Sequence, residues 1–186
     1  MKVAITGTMG SGKSLASAYL RQLGYDVFDC DKVNRQLLEQ GNRGFLALED
    51  VFPECYIEGK LNKKELSRIV FTDPEKKKPL ESILHPLILE EMLKEDRDPF
   101  FAEVPLLFEV NWDRYFDHSL LIVTDHDLLI QRLEKRGMLK EEYEQRLKNQ
   151  MPVEEKIKRA DKIIYNNGSQ EQLYSCIDQW LKEIIC

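Results

Sequence analysis

The stretch Gly7-Thr8-Met9-Gly10-Ser11-Gly12-Lys13-Ser14 decides how this chain folds. It matches the pattern G-x-x-x-x-G-K-[S/T], in which a glycine-rich loop turns its backbone N–H groups toward a phosphate. Glycine reaches backbone angles that other residues adopt only at a cost, so such a loop can close tightly around an anion. The lysine brings a positive charge to the terminal phosphates, and the serine hydroxyl is a ligand for Mg²⁺. Binding of a nucleoside triphosphate is the first functional expectation.

The segments on both sides of this loop have the structure that the motif needs. Residues 2–6 are short, apolar and partly β-branched, which predicts a buried strand. Apolar residues then recur at near-helical spacing over residues 13–23, and Gly24 supplies a stop. The competing interpretation, a plain glycine-rich turn with a surface lysine, does not account for this strand and helix.

Composition limits the class of protein. The chain has 186 residues, of which 42% are hydrophobic and 32% are charged, and its net charge is −6. These values are typical of one globular domain and argue against broad nucleic-acid binding, which needs a basic surface. The four cysteines show no regular spacing, which favours reduced thiols over a disulfide framework. No stretch has the length of a membrane span or the pattern of a signal peptide, so we expect a cytoplasmic protein.

Four more strands are expected, because short apolar runs recur between helical segments. They cover residues 25–28, 100–104, 120–123 and 162–165. Strands that alternate with helices after a P-loop predict an α/β fold of three layers around a five-stranded parallel sheet. The order of the strands stays open.

Carboxylates are expected at the ends of two of these strands. If the chain stays extended, Asp29 and Asp31 face the same side at the carboxyl end of their strand, where α/β sheets bind ligands. Alternatively, Asp31 is the N-cap of the next helix. Pro105 should end the third strand and leave Glu103 where a carboxylate can hold Mg²⁺ through water. The apolar run that follows, which includes Leu107, is either core or one wall of a substrate cleft.

Residues 43–95 have a mostly helical pattern and are interpreted as an inserted lobe for a second substrate. A helical crossover that only packs has the same pattern and stays open. Asp73-Pro74 is typical of an N-cap followed by proline at the first helical position. We expect a restart of the helix at Pro79 and a kink near His85-Pro86. The lysines of this segment form either a solvated face or a collar for an anionic substrate.

Two arginine-bearing helices are predicted within residues 126–158. Arg132 and Arg136 are four residues apart and share one face of the first helix, which Gly137 ends. Arg146 lies on the second helix. We interpret the pair as a lid that closes over phosphates, and solvated arginines are the alternative.

These motifs resemble the dephospho-CoA kinase family over nearly the whole chain. The P-loop is common to many proteins, whereas the later segments are far more specific. The segments that carry the resemblance are residues 6–14, 29–31, 71–74, 80–86 and 104–109, Gln131-Arg132 with Arg136, Gln150, and Ala160-Asp161 with Asn166.

The resemblance implies a nucleoside-monophosphate-kinase-like fold and a reaction. The core is expected at residues 1–40, 98–125 and 160–186, the substrate lobe at about 43–95 and the lid at about 126–158. The implied reaction moves the γ-phosphate of ATP to the ribose 3′-hydroxyl of dephospho-CoA and gives CoA and ADP, the last step of coenzyme A biosynthesis. The implied cofactor is Mg²⁺, and ATP and dephospho-CoA are the expected partners of a monomer that needs no nucleic acid, membrane or obligate protein partner.

The resemblance also implies roles for single residues. Asp31 is expected at the acceptor hydroxyl, and Lys13 and Arg136 at the transferring phosphoryl group. The expected ATP-binding residues are Gly10, Ser11, Gly12, Lys13, Ser14, Leu15, Arg146 and Asn166, the last near the adenine. The expected acceptor-binding residues are Asp31, His85 and Leu107, and the expected metal ligands are Ser14 and Glu103.

Two other functions stay open. One is another small-molecule or nucleotide kinase on the same fold, which a panel of acceptors would distinguish. The other is a P-loop nucleotide-sensing module, which would hydrolyse ATP slowly and bind partners in a nucleotide-dependent way.

Overall fold

The computed structural model describes residues 1–185, which form two compact units. The core unit contains Met1–Phe28 and the chain from Arg97 onward, and the insert unit contains Asp29–Asp96. In chain order the elements are β1 (Lys2–Gly7), α1 (Lys13–Gln22), β2 (Val27–Asp29), α2 (Cys30–Leu37), α3 (Arg43–Glu49), β3 (Tyr56–Ile57), β4 (Lys60–Leu61), α4 (Lys63–Thr72), α5 (Pro74–Leu93), β5 (Phe100–Glu103), β6 (His118–Val123), α6 (His126–Lys135), α7 (Lys140–Lys148), α8 (Val153–Arg159), β7 (Lys162–Tyr165) and α9 (Gln170–Ile185).

A five-stranded parallel sheet in the order β2-β5-β1-β6-β7 confirms the predicted fold class. The central strand β1 pairs with β5, with Ile5 opposite Glu103, and with β6, with Ile5 opposite Leu120. Because the strands are parallel, the carboxyl ends of β1, β5 and β6 lie at one edge, where ligands bind in open α/β sheets. The P-loop follows β1 at this edge.

One face of the sheet is covered by α1 and α9. Val3 and Ile5 of β1 pack in one buried cluster with Leu20 of α1 and with Leu173 and Ile177 of α9. Each such side chain contributes about 1.5–3 kcal/mol through its removal from water. The apolar face of α9 is therefore core packing that fixes α1, and α1 carries the end of the P-loop.

The insert unit contains a β-hairpin that the sequence did not predict. Tyr56 pairs with Leu61 and Ile57 with Lys60 in an antiparallel ladder. The two residues of the turn, Glu58-Gly59, have φ values of 50° and 69°. Positive φ at both turn positions is the conformation of a type I′ turn, one of the two favoured two-residue hairpin loops.

The helix α5 is continuous from Pro74 to Leu93, so the predicted restart at Pro79 is wrong. A proline inside a helix removes one backbone hydrogen bond and lowers the stability of the helix by about 3 kcal/mol. Burial of Leu84, Ile88 and Met92 along α5 favours the uninterrupted helix. The predicted start is confirmed, because Asp73 Oδ1 accepts a 2.9 Å hydrogen bond from Glu75 N.

Candidate functional site

The glycines of the P-loop are required by their backbone and by their neighbours. Gly10 has a φ of 83° and Gly12 a φ of 107°, both in the left-handed region. A Cβ on Gly12 would lie 2.2 Å from Nδ2 of Asn166, and one on Gly10 would lie 2.9 Å from a methyl carbon of Leu133. Any other residue at these positions would be strained by its positive φ and would require the side chain of Asn166 or Leu133 to move.

Two strand ends hold the carbonyl of Ser11 in place. It accepts a hydrogen bond of 2.8 Å from Nδ2 of Asn166, after β7, and one of 3.0 Å from Oγ1 of Thr124, after β6. Within the loop, Thr8 O accepts from Nζ of Lys13 at 3.0 Å. The loop is fixed from both sides, at the positive end of α1, where anions bind favourably.

A cleft of about 390 Å³ opens beside this loop. It gathers four cationic side chains, Lys13, Arg132, Lys135 and Arg136, and its described lining contains no carboxylate. The other lining residues are Gly10, Gly12, Ser14, Leu15, Asn166, Gly168 and Gln170. In a chain with net charge −6, such a local excess of positive charge indicates an anionic ligand.

Arg132 forms part of the wall of this cleft, although the sequence predicted no individual role for it. Its Nη1 donates a 3.1 Å hydrogen bond to Oγ1 of Thr124. Burial lowers the pKa of the Arg132 guanidinium, and the charge of Arg136 lowers this pKa further. An anion between the two guanidinium groups would relieve their repulsion. The four-residue spacing from Arg136 was the signal that could have identified Arg132.

Ser14 and Glu103, the two predicted metal ligands, lie side by side. The Ser14 hydroxyl donates a 2.8 Å hydrogen bond to Oε1 of Glu103, whose side chain is buried at the end of β5. Two hard oxygen donors fit Mg²⁺, which is usually held by one or two protein groups together with substrate phosphates and water. Within residues 1–185 no cluster of three or more histidine, cysteine or acidic side chains could hold a metal ion.

The residues after β2 differ from both predicted arrangements. Oδ1 of Asp29 accepts a 2.9 Å hydrogen bond from Lys32 N, so Asp29 is the N-cap and α2 begins at Cys30. The prediction of an extended Asp29-Cys30-Asp31 segment is therefore wrong, and so is the alternative prediction that Asp31 is the N-cap. Asp31 is an exposed residue in the first turn of α2, directly after a strand of the central sheet.

Four other predicted site residues lie outside the described lining of the cleft, and one of them, Ser11, is fully buried within the P-loop. His85 is half-buried in the middle of α5, and burial lowers the pKa of its imidazole, which favours the neutral form. Leu107 is fully buried in the segment after β5. Arg146 is exposed on α7.

The three consecutive lysines near the start of α5, residues 76–78, form ion pairs on the surface of the insert unit. Lys77 lies 3.3 Å from Glu81 and Lys78 lies 2.7 Å from Glu75, both within α5. Pairs of this kind at helical spacing are typical of a solvated helix face. This supports the first of the two interpretations of these lysines.

Comparison with known proteins identifies the family. A family model described as CoaE, dephospho-CoA kinase, matches residues 1–172. The chain belongs to the dephospho-CoA kinase family. A dephospho-CoA kinase of Thermus thermophilus is 37% identical, with 98% of this chain and 91% of that protein covered. Members of the family are phosphotransferases with an alcohol as acceptor.

Solved structures agree with this membership of the dephospho-CoA kinase family. A crystal structure from Thermus thermophilus, 37% identical, matches with a TM-score of 0.85 and covers 99% of this chain and 97% of that one. Dephospho-CoA kinase from Campylobacter jejuni, 32% identical, matches with a TM-score of 0.72 and covers 99% and 98%. In the part of the chain that the structure describes, no helix is long and apolar enough to cross a membrane.

Proposed function

We propose that this chain transfers the γ-phosphate of ATP to the ribose 3′-hydroxyl of dephospho-CoA and releases CoA and ADP. The observation that carries the proposal is the cleft with four cations beside the P-loop, in a chain of the dephospho-CoA kinase family. A cleft with this charge fits a triphosphate better than it fits a neutral or cationic ligand.

Phosphoryl transfer asks little covalent chemistry of the protein, so positioning and neutralisation of charge dominate. The Lys13 ammonium has three N–H donors, so it would keep its 3.0 Å hydrogen bond to Thr8 O and donate another, charge-assisted bond to a phosphate oxygen. Arg136 would meet the transferring phosphoryl group, and Arg132 would stay with Thr124 at the wall of the cleft.

Ser14 and Glu103 would hold Mg²⁺ together with the triphosphate. When bound, the ion neutralises charge on the β- and γ-phosphate oxygens. The Ser14 hydroxyl, at the start of α1, now donates a hydrogen bond to the Glu103 carboxylate at the end of β5. This bond keeps the two oxygens close together. Both oxygens are therefore already held together at one place in the core unit.

Asp31 would orient the acceptor hydroxyl and accept its proton. Its support is its position in the first turn of α2, directly after β2, with an exposed carboxylate. His85 would contact the acceptor as a neutral, half-buried imidazole. The Leu107 side chain has no exposed surface, so it would shape the acceptor wall by packing beneath it.

Asn166 and Arg146 would complete the ATP site. Asn166 would border the adenine from the edge of the cleft while its amide holds the P-loop, and Arg146 would reach ATP from the lid. The core, substrate lobe and lid would have the boundaries expected from the sequence. The enzyme would act as a cytoplasmic monomer whose partners are its two substrates.

A panel of acceptors with coupled detection of ADP tests this function. We expect rapid ADP formation with dephospho-CoA and a basal rate with nucleoside monophosphates and sugar-like acids. A higher rate with one of the other acceptors would favour a different small-molecule kinase. Equal, slow ADP formation with every acceptor would favour a nucleotide-sensing module. Lys13→Met is the control, since it removes the P-loop ammonium.

A further inference from the structure

A short segment between α7 and α8, residues 149–152, touches two separate parts of the core unit. Oε1 of Gln150 accepts a 3.3 Å hydrogen bond from Met9 N in the P-loop. The next residue, Met151, donates its N–H at 3.0 Å to Oε1 of Glu109. This part of the predicted lid is therefore tied to the nucleotide loop on one side and to the segment after β5 on the other. We call residues 149–152 the return segment.

The return segment is anchored by a buried ion pair. Nζ of Lys156, a side chain with no exposed surface, lies 2.8 Å from Oε1 of Glu109. One helical turn later, Arg159 reaches both carboxylate oxygens of Asp113 at 2.8 Å and donates to Phe108 O at 2.8 Å. These contacts hold α8 against the chain after β5. A buried ion pair contributes little to the net free energy of folding. It can instead favour one position of α8 over others.

The hydrogen bond from Met9 N to Gln150 affects the position of Lys13 through a single peptide unit. The N–H of Met9 and the carbonyl of Thr8 belong to the same rigid peptide unit. That carbonyl accepts from Nζ of Lys13 at 3.0 Å and from Ser11 N at 3.2 Å. When Gln150 holds the N–H end of this unit, it also sets the direction of the carbonyl that orients Lys13.

We propose that Gln150 is a positioning residue for phosphoryl transfer. It acts on Lys13 through the Thr8–Met9 peptide unit, and Glu109 with Lys156 keeps it in place by binding Met151. The inference rests on the proposed function, in which Lys13 meets the phosphates. It gives the return segment a role besides that of a connection, because the predicted lid then contacts the nucleotide site through both α6 and Gln150.

A double-mutant cycle with Lys13, read out as affinity for ADP by calorimetry, tests this inference. Gln150→Met keeps the length of the side chain and removes its acceptor. A neutral hydrogen bond contributes about 1 kcal/mol, so we expect about fivefold weaker ADP binding. In a Lys13→Met background the same substitution should change the affinity by less than about twofold, because its target is gone. Gln179→Met, on α9 away from the cleft lining, is the matched control and should bind ADP as the wild type does.

A second variant tests the anchor without leaving a buried charge unpaired. Glu109→Leu with Lys156→Met removes both charges and the acceptor of Met151 N, and it should weaken ADP binding to the same extent as Gln150→Met. Equal losses in the wild-type and Lys13→Met backgrounds would overturn the inference, and so would unchanged ADP affinity in Gln150→Met. ADP binds without the second substrate. Failure to phosphorylate dephospho-CoA would therefore count against the proposed function and would leave this inference untouched.

Discussion

The hydroxyl of Ser14 lies 2.8 Å from Oε1 of Glu103 and joins the head of α1 to the end of β5. The sheet produces this meeting, because β1 and β5 are parallel neighbours and Ile5 is paired with Glu103. A residue two positions after the last glycine of the P-loop thus meets a carboxylate that is 89 residues away along the chain.

Glu103→Gln should raise the Mg²⁺ concentration needed for half-maximal activity by about 10- to 100-fold, the loss typical of altered metal-site partners. The amide keeps the size of the side chain and removes its charge, so the fold should persist. Titration of activity with Mg²⁺ at fixed ATP measures the effect. Glu154→Gln, on the exposed face of α8, is the control. An unchanged midpoint in Glu103→Gln would remove this carboxylate from the metal site.

Asp31→Asn should lower kcat by about 10²- to 10⁴-fold, because the amide cannot accept the proton of the acceptor hydroxyl. Asp127→Asn is a matched control, since Asp127 is an exposed aspartate in the first turn of α6. Steady-state rates with saturating substrates give the comparison. Near-wild-type turnover of Asp31→Asn would show that another group serves the hydroxyl.

Arg136→Met should lower kcat by roughly 10³-fold with a modest change in KM for ATP, because arginine acts mainly on the charge of the transferring group. Steady-state kinetics with varied ATP separate the two parameters. Arg21→Met, at the exposed end of α1, should behave as the wild type. If only KM rises in Arg136→Met, the guanidinium binds ATP without acting on the transition state.

Lys156→Met should lower the free energy of unfolding by about 3–5 kcal/mol, because it leaves the carboxylate of Glu109 without its buried partner. Adding Glu109→Leu should restore most of this loss, since the unpaired charge is then gone. Urea unfolding of the two variants measures both steps. A single variant as stable as the wild type would show that the Glu109 carboxylate does not depend on this partner.

The best predictions came from signals that lie within a few residues of each other. Pro105 cannot donate to a ladder, and β5 ends at Glu103 as expected. The glycines and lysine of the P-loop are equally local, because their backbone angles and charge serve one short loop. Such features predicted the fold class and much of the lining of the cleft.

The errors came where distant packing chooses between local alternatives. Either Asp29 or Asp31 could cap α2, and the point at which β2 ends selects Asp29. Pro79 should interrupt a helix, yet burial along α5 keeps it whole. Arg132 gained its place through Thr124, at the end of another strand, and Gln150 through Met9. The spacing of Arg132 and Arg136 indicates a shared helix face, whereas the contacts with Thr124 and Met9 depend on strand order and on where the chain returns, which that spacing does not encode.

The most direct test of the central claim is mass spectrometry of dephospho-CoA after incubation with ATP, Mg²⁺ and the protein. We expect dephospho-CoA to gain one phosphate group, the product to co-elute with CoA, and ADP to form in equal amount, with no conversion by Lys13→Met. Dephospho-CoA that stays unmodified while the wild-type protein consumes ATP would contradict the proposed phosphoryl transfer.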